Sequence, residues 1–235
     1  MEYKTDYRIF PLGDSAITVD FGNIIDEEIS MNVMAWFHHL TNDPVEGVIE
    51  IVPAYSSLTV HYDMLSVAKN IPKGQQVYSW MRERIEKRLQ QSLVAHQNNG
   101  SLVKIPVCYD TFFAPDLESL AESKGMSSAE VVQLHISKSY RVYMLGFLPG
   151  FAYLGPVDDK LATPRKSQPV EVAAGSIGIA GQQTGIYPMV SPGGWHIIGR
   201  TPVHLFDSDK ADPALLKPGD SVQFVSITLH EFENY

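Results

Sequence analysis

Between Gly181 and Pro202 the chain concentrates side chains able to grip a small polar molecule: Gln182, Gln183 and Thr184, then Tyr187, Ser191, Trp195, His196, Arg200 and Thr201. A carboxamide both donates and accepts hydrogen bonds, so Gln182 and Gln183 suit a ligand amide. The fixed fork of Arg200 suits a carboxylate or phosphate, and Trp195 and Tyr187 can wall a flat ring. The same residues also suit a structural role, with glycines making turns, Trp195 as core and Arg200 as a solvated charge. Residue types alone leave the two open. A phosphate-binding loop needs G-x-x-x-x-G-K-[ST], but Lys166-Ser167 follows Arg165. A nucleophile elbow needs G-x-S-x-G, whereas Ser176 stands in Ala174-Gly175-Ser176-Ile177-Gly178 with alanine in the first position. His135, His196 and His204 are isolated and His38-His39 diverge on a helix, so no metal site is expected. Cys108, beside an extended apolar run, reads as a small buried residue and not a reactive thiol.

These side chains sit among an unusual density of glycine, proline and aromatic residues, Gly146-Phe147-Leu148-Pro149-Gly150-Phe151-Ala152-Tyr153-Leu154-Gly155 and Ser191-Pro192-Gly193-Gly194-Trp195-His196-Ile197-Ile198-Gly199-Arg200-Thr201-Pro202. A disordered tract would lack the interleaved apolar residues. Phe147, Pro149, Phe151 and Tyr153 therefore join the candidate surface, since turn-rich loops on a rigid scaffold commonly display binding groups.

The elements that must hold these loops follow from periodicity. Residues 5–10 and 15–21 read as strands around the turn Pro11-Leu12-Gly13-Asp14, and apolar Ile29, Val33, Trp36, Phe37 and Leu40 predict a helix over 26–41. Strands at 48–52 and 57–62, a helix marked by Val77, Met81, Ile85 and Leu89, and a strand at 102–107 complete β-α-β-β-α-β with one extra strand in front. The junction is placed near residue 98, in the polar His96-Gln97-Asn98-Asn99-Gly100, giving domains 1–98 and 99–235, with the 102–107 strand assignable to either side. Beyond it, Ser127 and Glu130 form a capping box ahead of a short helix ending before Tyr140. After Arg141 no helical periodicity is expected. Short strands at 142–145, 176–180, 196–198, 203–206 and 221–225 predict a closed or nearly closed β-barrel.

Of the 235 residues 44% are hydrophobic and 19% charged, ordinary for a globular chain with a sizeable core. A formal charge of −9 without a Lys/Arg cluster argues against nucleic acid or an anionic membrane surface as partner. One cysteine excludes an intrachain disulfide, and no apolar N-terminal or membrane-spanning stretch is present, so the cytoplasm is expected.

With those residues in view, the chain resembles the B subunits of bacterial ATP-dependent 5-oxoprolinases, a group that includes the KipI-type kinase inhibitors and the allophanate hydrolase subunit 1-like carboxyltransferase half of urea amidolyase. The resemblance runs through Pro11-Leu12-Gly13-Asp14-Ser15-Ala16, Pro53-Ala54-Tyr55-Ser56-Ser57-Leu58, Ile105-Pro106-Val107-Cys108-Tyr109, residues 146–155, residues 174–187 and residues 191–202. It implies an α+β protein, with a ferredoxin-like N-terminal domain followed by a cyclophilin-like β-barrel domain. Two departures stand out. Asp110-Thr111-Phe112-Phe113-Ala114-Pro115 replaces a glycine-rich segment carrying a glutamate, and the loop from Pro164 to Ala174 lacks a second Pro-Arg, leaving Arg165 and Lys166 as its basic residues.

The function so implied is that of a non-autonomous subunit. With A and C subunits as partners, the complex uses ATP to open the lactam of 5-oxo-L-proline, giving L-glutamate, while this chain binds no cofactor through a recognisable motif. The loops at 182–187 and 191–201 are then expected to face the C subunit, with Gln182 on the lactam amide and Arg200 on a carboxylate or phosphate. The KipI-type alternative makes a sensor histidine kinase the partner, anchored on Phe147, Leu148, Pro149 and Phe151. A carboxyltransferase half of the urea amidolyase kind is the third. The sequence does not separate them.

Overall fold

The computed structural model describes residues 7–90 and 100–235. The chain divides into two compact units, residues 1–98 and 99–235. Residues 96–99 of the expected junction, and residues 5 and 6 of the expected first strand, lie outside the described residues.

In the N-terminal unit, β1 (Arg8–Pro11) and β2 (Ala16–Asp20) form a hairpin, followed by α1 (Glu27–Asn42), β3 (Val48–Pro53), β4 (Ser57–Tyr62), α2 (Met64–Asn70) and α3 (Val77–Leu89). Asp26 caps α1 by accepting from the Ile29 N–H at 2.9 Å, and Glu27 and Glu28 complement the helix dipole. The sheet order is β1-β2-β4-β3, antiparallel throughout. Along β4 the alternate residues Leu58, Val60 and Tyr62 turn to one face, where they meet Ile17 and Val19, the α1 stripe Val33, Trp36 and Leu40, and Trp80, Met81, Ile85 and Leu89 of α3. Thus β2, α1 and β3 form a βαβ unit with β4 between its strands. The expected final strand is not in this sheet; β1 flanks β2 instead, and residues 102–108 belong to the C-terminal unit.

That unit comprises β5 (Leu102–Cys108), α4 (Leu117–Ser123), α5 (Ser128–Ile136), β6 (Ser139–Leu145), β7 (Ala152–Gly155), β8 (Val170–Val172), β9 (Ser176–Ala180), β10 (Gln183–Ile186), β11 (Ser191–Gly193), β12 (His196–Arg200), β13 (Ser221–Ile227) and α6 (Leu229–Glu233). Seven strands close a barrel in the order β10-β7-β6-β13-β5-β12-β9, and β8 and β11 pair as a separate ribbon. The β5–β13 contact is parallel. Closure explains why the 102–108 strand leaves the first unit: its Ile105 and Val107 complete the barrel core with Val142, Leu154, Ile177, Ile179, Ile186, Ile198, Val222 and Phe224. The expected capping box at Ser127 and Glu130 starts α5.

Two expectations are corrected. No strand forms at 203–206, where only Phe206 bridges to Ala214; Pro202 has no N–H to offer, and the Val203 N–H is taken by the Thr201 hydroxyl at 3.2 Å. A helix, α6, does follow Arg141, opened by a capping box of Thr228 and Glu231. The short helices α2 and α4 lie in stretches to which periodicity assigns no element. No helix among the described residues is long and apolar enough to cross a membrane.

Candidate functional site

Strand alternation splits the aromatic and polar candidates between the inside and outside of the barrel. On β7 and β10, Ala152, Leu154 and Ile186 point inward, while Tyr153 and the flanking Phe151 and Tyr187 join an outer cluster with Val172, Ala180, Trp195 and Ile197. Phe151 is its centre, with ring centroids 4.8 Å from Tyr153, 5.1 Å from Tyr187 and 5.5 Å from both Trp195 and Phe147, all in edge contacts. Gly185 makes this possible: a Cβ there would stand 3.0 Å from both Phe151 Cζ and Trp195 Cζ3. Gly178 on β9 does the same, its Cβ position lying 2.9 Å from Trp195 Cβ, so these two glycines floor the rings on the outer face of β9 and β10.

Phe147 is held differently. It has φ +70°, the only non-glycine residue in the left-handed region among the described residues, and the Leu148 N–H donates to the Gly146 carbonyl at 2.9 Å across it. This is a γ-turn of the strained, positive-φ kind, and it presents a ring that is 59% exposed. Pro149 in the same loop is also exposed.

Opposite the rings, a second loop is pinned in place. The Lys166 N–H donates to the Gly194 carbonyl at 2.8 Å, and His196 Nε2 bonds the Pro164 carbonyl at 3.1 Å. Asp116 Oδ2 accepts from Lys166 Nζ at 2.6 Å and from the Ile197 N–H at 2.7 Å. Arg165, between these anchors, is exposed, and no carboxylate pairs with it among the described residues. Burial raises the Tyr153 and Tyr187 phenols above their ordinary range, and the nearby Arg165 charge works against that rise for both. The Tyr187 hydroxyl also takes a backbone hydrogen bond from Trp195 and abuts Gly193, where any Cβ would collide with it. The buried Ser191 hydroxyl has no hydrogen-bond partner.

The remaining candidates lie elsewhere. Thr184 points into the barrel, donating to the Gly178 carbonyl and bonding His135 Nε2, both at 3.0 Å. Because the Thr184 proton is spent on Gly178, His135 donates from Nε2 and accepts at Nδ1 from the Tyr109 hydroxyl, 2.7 Å away. His135 stacks on Phe224 at 4.5 Å, and burial pushes its pKa down to about 3, so it is a neutral core group that fastens α5 to the barrel. Arg200 gives its Nε to the Ala174 carbonyl at 2.8 Å and lies over Phe113, while buried Thr201 makes the turn at Val203. Gln183 opens β10, opposite Ala180. Exposed Gln182 donates to Asp159 at 3.2 Å, on the rim of a groove of about 870 Å³ between α4 and α5. That groove is separate from the rings, and two of its charges are already engaged: Lys124 holds the Ala162 carbonyl and Glu130 caps α5. Gln182 and Arg200 stand at opposite ends of β9, about 13 Å apart along its axis, so within this chain they do not share one ligand.

Residues 7–216 match the family described as carboxyltransferase domain, subdomain C and D. The chain is 43% identical over 231 residues to the 5-oxoprolinase B subunit of Bacillus subtilis, covering 97% of this chain and 96% of that protein. This chain belongs to the family of 5-oxoprolinase B subunits. A second family member, the 5-oxoprolinase B subunit of Escherichia coli O157:H7, is 36% identical over 93% of this chain and 95% of its own length. Among solved structures, TTHA0988 superposes with a TM-score of 0.76 at 35% identity, over 91% of this chain. The chain spans only 40% of the length of TTHA0988, so there the region similar to this chain is joined to a longer polypeptide.

Sequence reasoning finds most of the ring cluster but misses the Asp116–Lys166 anchor, whose members are 50 residues apart and belong to no motif.

Proposed function

We propose that this chain is the B component of an ATP-dependent 5-oxoprolinase, acting with A and C subunits to open the lactam of 5-oxo-L-proline to L-glutamate. The observation that carries the reading is its near full-length identity, 43% over 97% of the chain, to a protein named as a 5-oxoprolinase B subunit. An unstrained amide is a poor electrophile. Transfer of the ATP γ-phosphoryl group to the lactam oxygen activates the ring carbon; one water adds there and the C–N bond breaks, the ring nitrogen leaving as the amine, and a second water then displaces phosphate from the resulting acyl phosphate to give the carboxylate. This chain's share is to bind and orient, on the outer ring cluster of the barrel, while the partner subunits complete the site. The longer TTHA0988 chain supports a unit that works beside another polypeptide segment. In this reading the N-terminal unit is ferredoxin-like, the barrel is cyclophilin-like and the complex is cytoplasmic. The exposed loop of Phe147 and Pro149 faces the shared ligand space, and Gln182 and Arg200 serve the barrel's two rims. A tagged copy expressed in its own organism is expected to recover the A and C subunits in stoichiometric amounts. Recovery of a sensor histidine kinase in their place overturns the reading in favour of a KipI-type inhibitor.

A further inference from the structure

The ring cluster carries a polar edge with a specific chemistry. Arg165 is the cation that acts on both the Tyr153 and Tyr187 phenols, and its Cβ lies 4.0 Å from where a side chain would begin at Gly194. The next glycine back, Gly193, abuts the Tyr187 hydroxyl. Ser191 shares the inward face of β11 with Gly193, because residues two apart on a strand face the same way, about 7 Å along it. Its hydroxyl is shielded from water and unpartnered, a costly state for a group that can hydrogen-bond. An unpaired guanidinium and the Tyr187 phenol therefore border two adjacent residues without side chains, and the unsatisfied buried Ser191 hydroxyl lies on the same strand face as the first of them.

We propose that Arg165, Tyr187 and Ser191 form a carboxylate-binding subsite, with the Phe147 ring closing its apolar side. The charge count favours a carboxylate over a phosphate. Lys166, the neighbouring cation, is neutralised by Asp116 at 2.6 Å, which leaves one positive charge for one negative charge. Arg165 pairs with both carboxylate oxygens through its fork, and the Ser191 hydroxyl donates to one of them. The Asp116 clamp holds Arg165 indirectly, by fixing Lys166 beside Gly194 and Ile197. This inference rests on the 5-oxoprolinase reading for the identity of its ligand, the carboxylate of 5-oxo-L-proline, but not for the existence of the subsite.

The test uses the full chain assembled with its A and C subunits and two measurements. Equilibrium binding is followed for 5-oxo-L-proline, for 2-pyrrolidone, which is the same ring without the carboxylate, and for inorganic phosphate. Steady-state turnover of 5-oxo-L-proline is measured on the same preparations. Replacing the exposed Arg165 leaves the fold intact, so Arg165→Met is expected to weaken 5-oxo-L-proline binding and raise its KM by about tenfold or more, as loss of a charge-assisted pair does, with little change in kcat. Arg165→Lys recovers part of the loss, 2-pyrrolidone binding is indifferent to both substitutions, and Ser191→Ala weakens binding by about threefold. Unchanged binding and KM in Arg165→Met, with an active wild-type complex, overturns the subsite and leaves the 5-oxoprolinase reading standing. Phosphate binding as tightly as 5-oxo-L-proline also overturns it. A wild-type complex that shows no turnover overturns the 5-oxoprolinase reading, and the Arg165-dependent binding of the carboxylate still decides the subsite.

Discussion

At the scale of single residues, two side chains are held in states that an isolated peptide would not adopt. His135 is buried among Tyr109, Tyr140, Thr184 and Phe224, with its pKa pushed down to about 3 from an ordinary 6.5. The folded state therefore resists protonation that the unfolded chain accepts. The resulting stability is complete above pH 6.5 and is lost as pH falls from 6.5 toward 3, at up to about 1.4 kcal/mol per pH unit from this group. Urea unfolding at pH 7, 6 and 5 is expected to show this slope, and His135→Gln to flatten it; equal slopes in the two proteins refute the assignment. Phe147 is the second such residue. Since its φ of +70° suits glycine and its ring is mostly exposed, Phe147→Gly is expected to leave stability unchanged or raise it by about 1 kcal/mol, while reducing turnover by the complex. Loss of stability without loss of turnover would make Phe147 a packing residue.

At the scale of elements, the ring cluster depends on strand faces that carry no side chain and on one carboxylate that ties three segments together. Gly185→Ala forces a methyl group against Phe151, Trp195 and the Ala152 carbonyl, each at 3.0 Å, and is expected to cost about 1–3 kcal/mol in denaturant unfolding. Asp116→Ala strands the Ile197 N–H and frees Lys166; a cost of about 1–3 kcal/mol is expected, together with a raised KM for 5-oxo-L-proline. A cost in stability with KM unmoved would confine Asp116 to a structural role. The longer elements are legible in the sequence because each states its own period: the stripe Val33, Trp36 and Leu40 in α1, the alternation in β4, and the capping box of α5. The three- and four-residue strands β7, β8, β10 and β11 are not, since so short a run holds barely one alternation and forms only because the barrel and its ribbon supply partners. The capping box of Thr228 and Glu231 is a readable signal for α6 that apolar periodicity alone does not reveal. Thr184 shows the same limit at the site. Its neighbours mark it as a ligand contact, but its inward face is fixed by strand register, which only the closed barrel reveals.

At the scale of the whole molecule, two compact units, one of them built on a closed seven-stranded barrel, sit in a chain that aligns end to end with 5-oxoprolinase B subunits. The family is legible in motifs such as residues 146–155 and 191–202, which the fold explains as the strained Phe147 turn and the bend between β11 and β12 that carries Trp195. The substrate is not legible there, because the candidate residues lie on loops that Asp116 joins across 50 and 81 residues of sequence, a contact that no motif records. The decisive measurement is ATP-dependent release of L-glutamate from 5-oxo-L-proline by the purified A and C subunits, with and without this chain. The account predicts release only when all three are present. Equal release in the absence of this chain, or none in its presence, contradicts it.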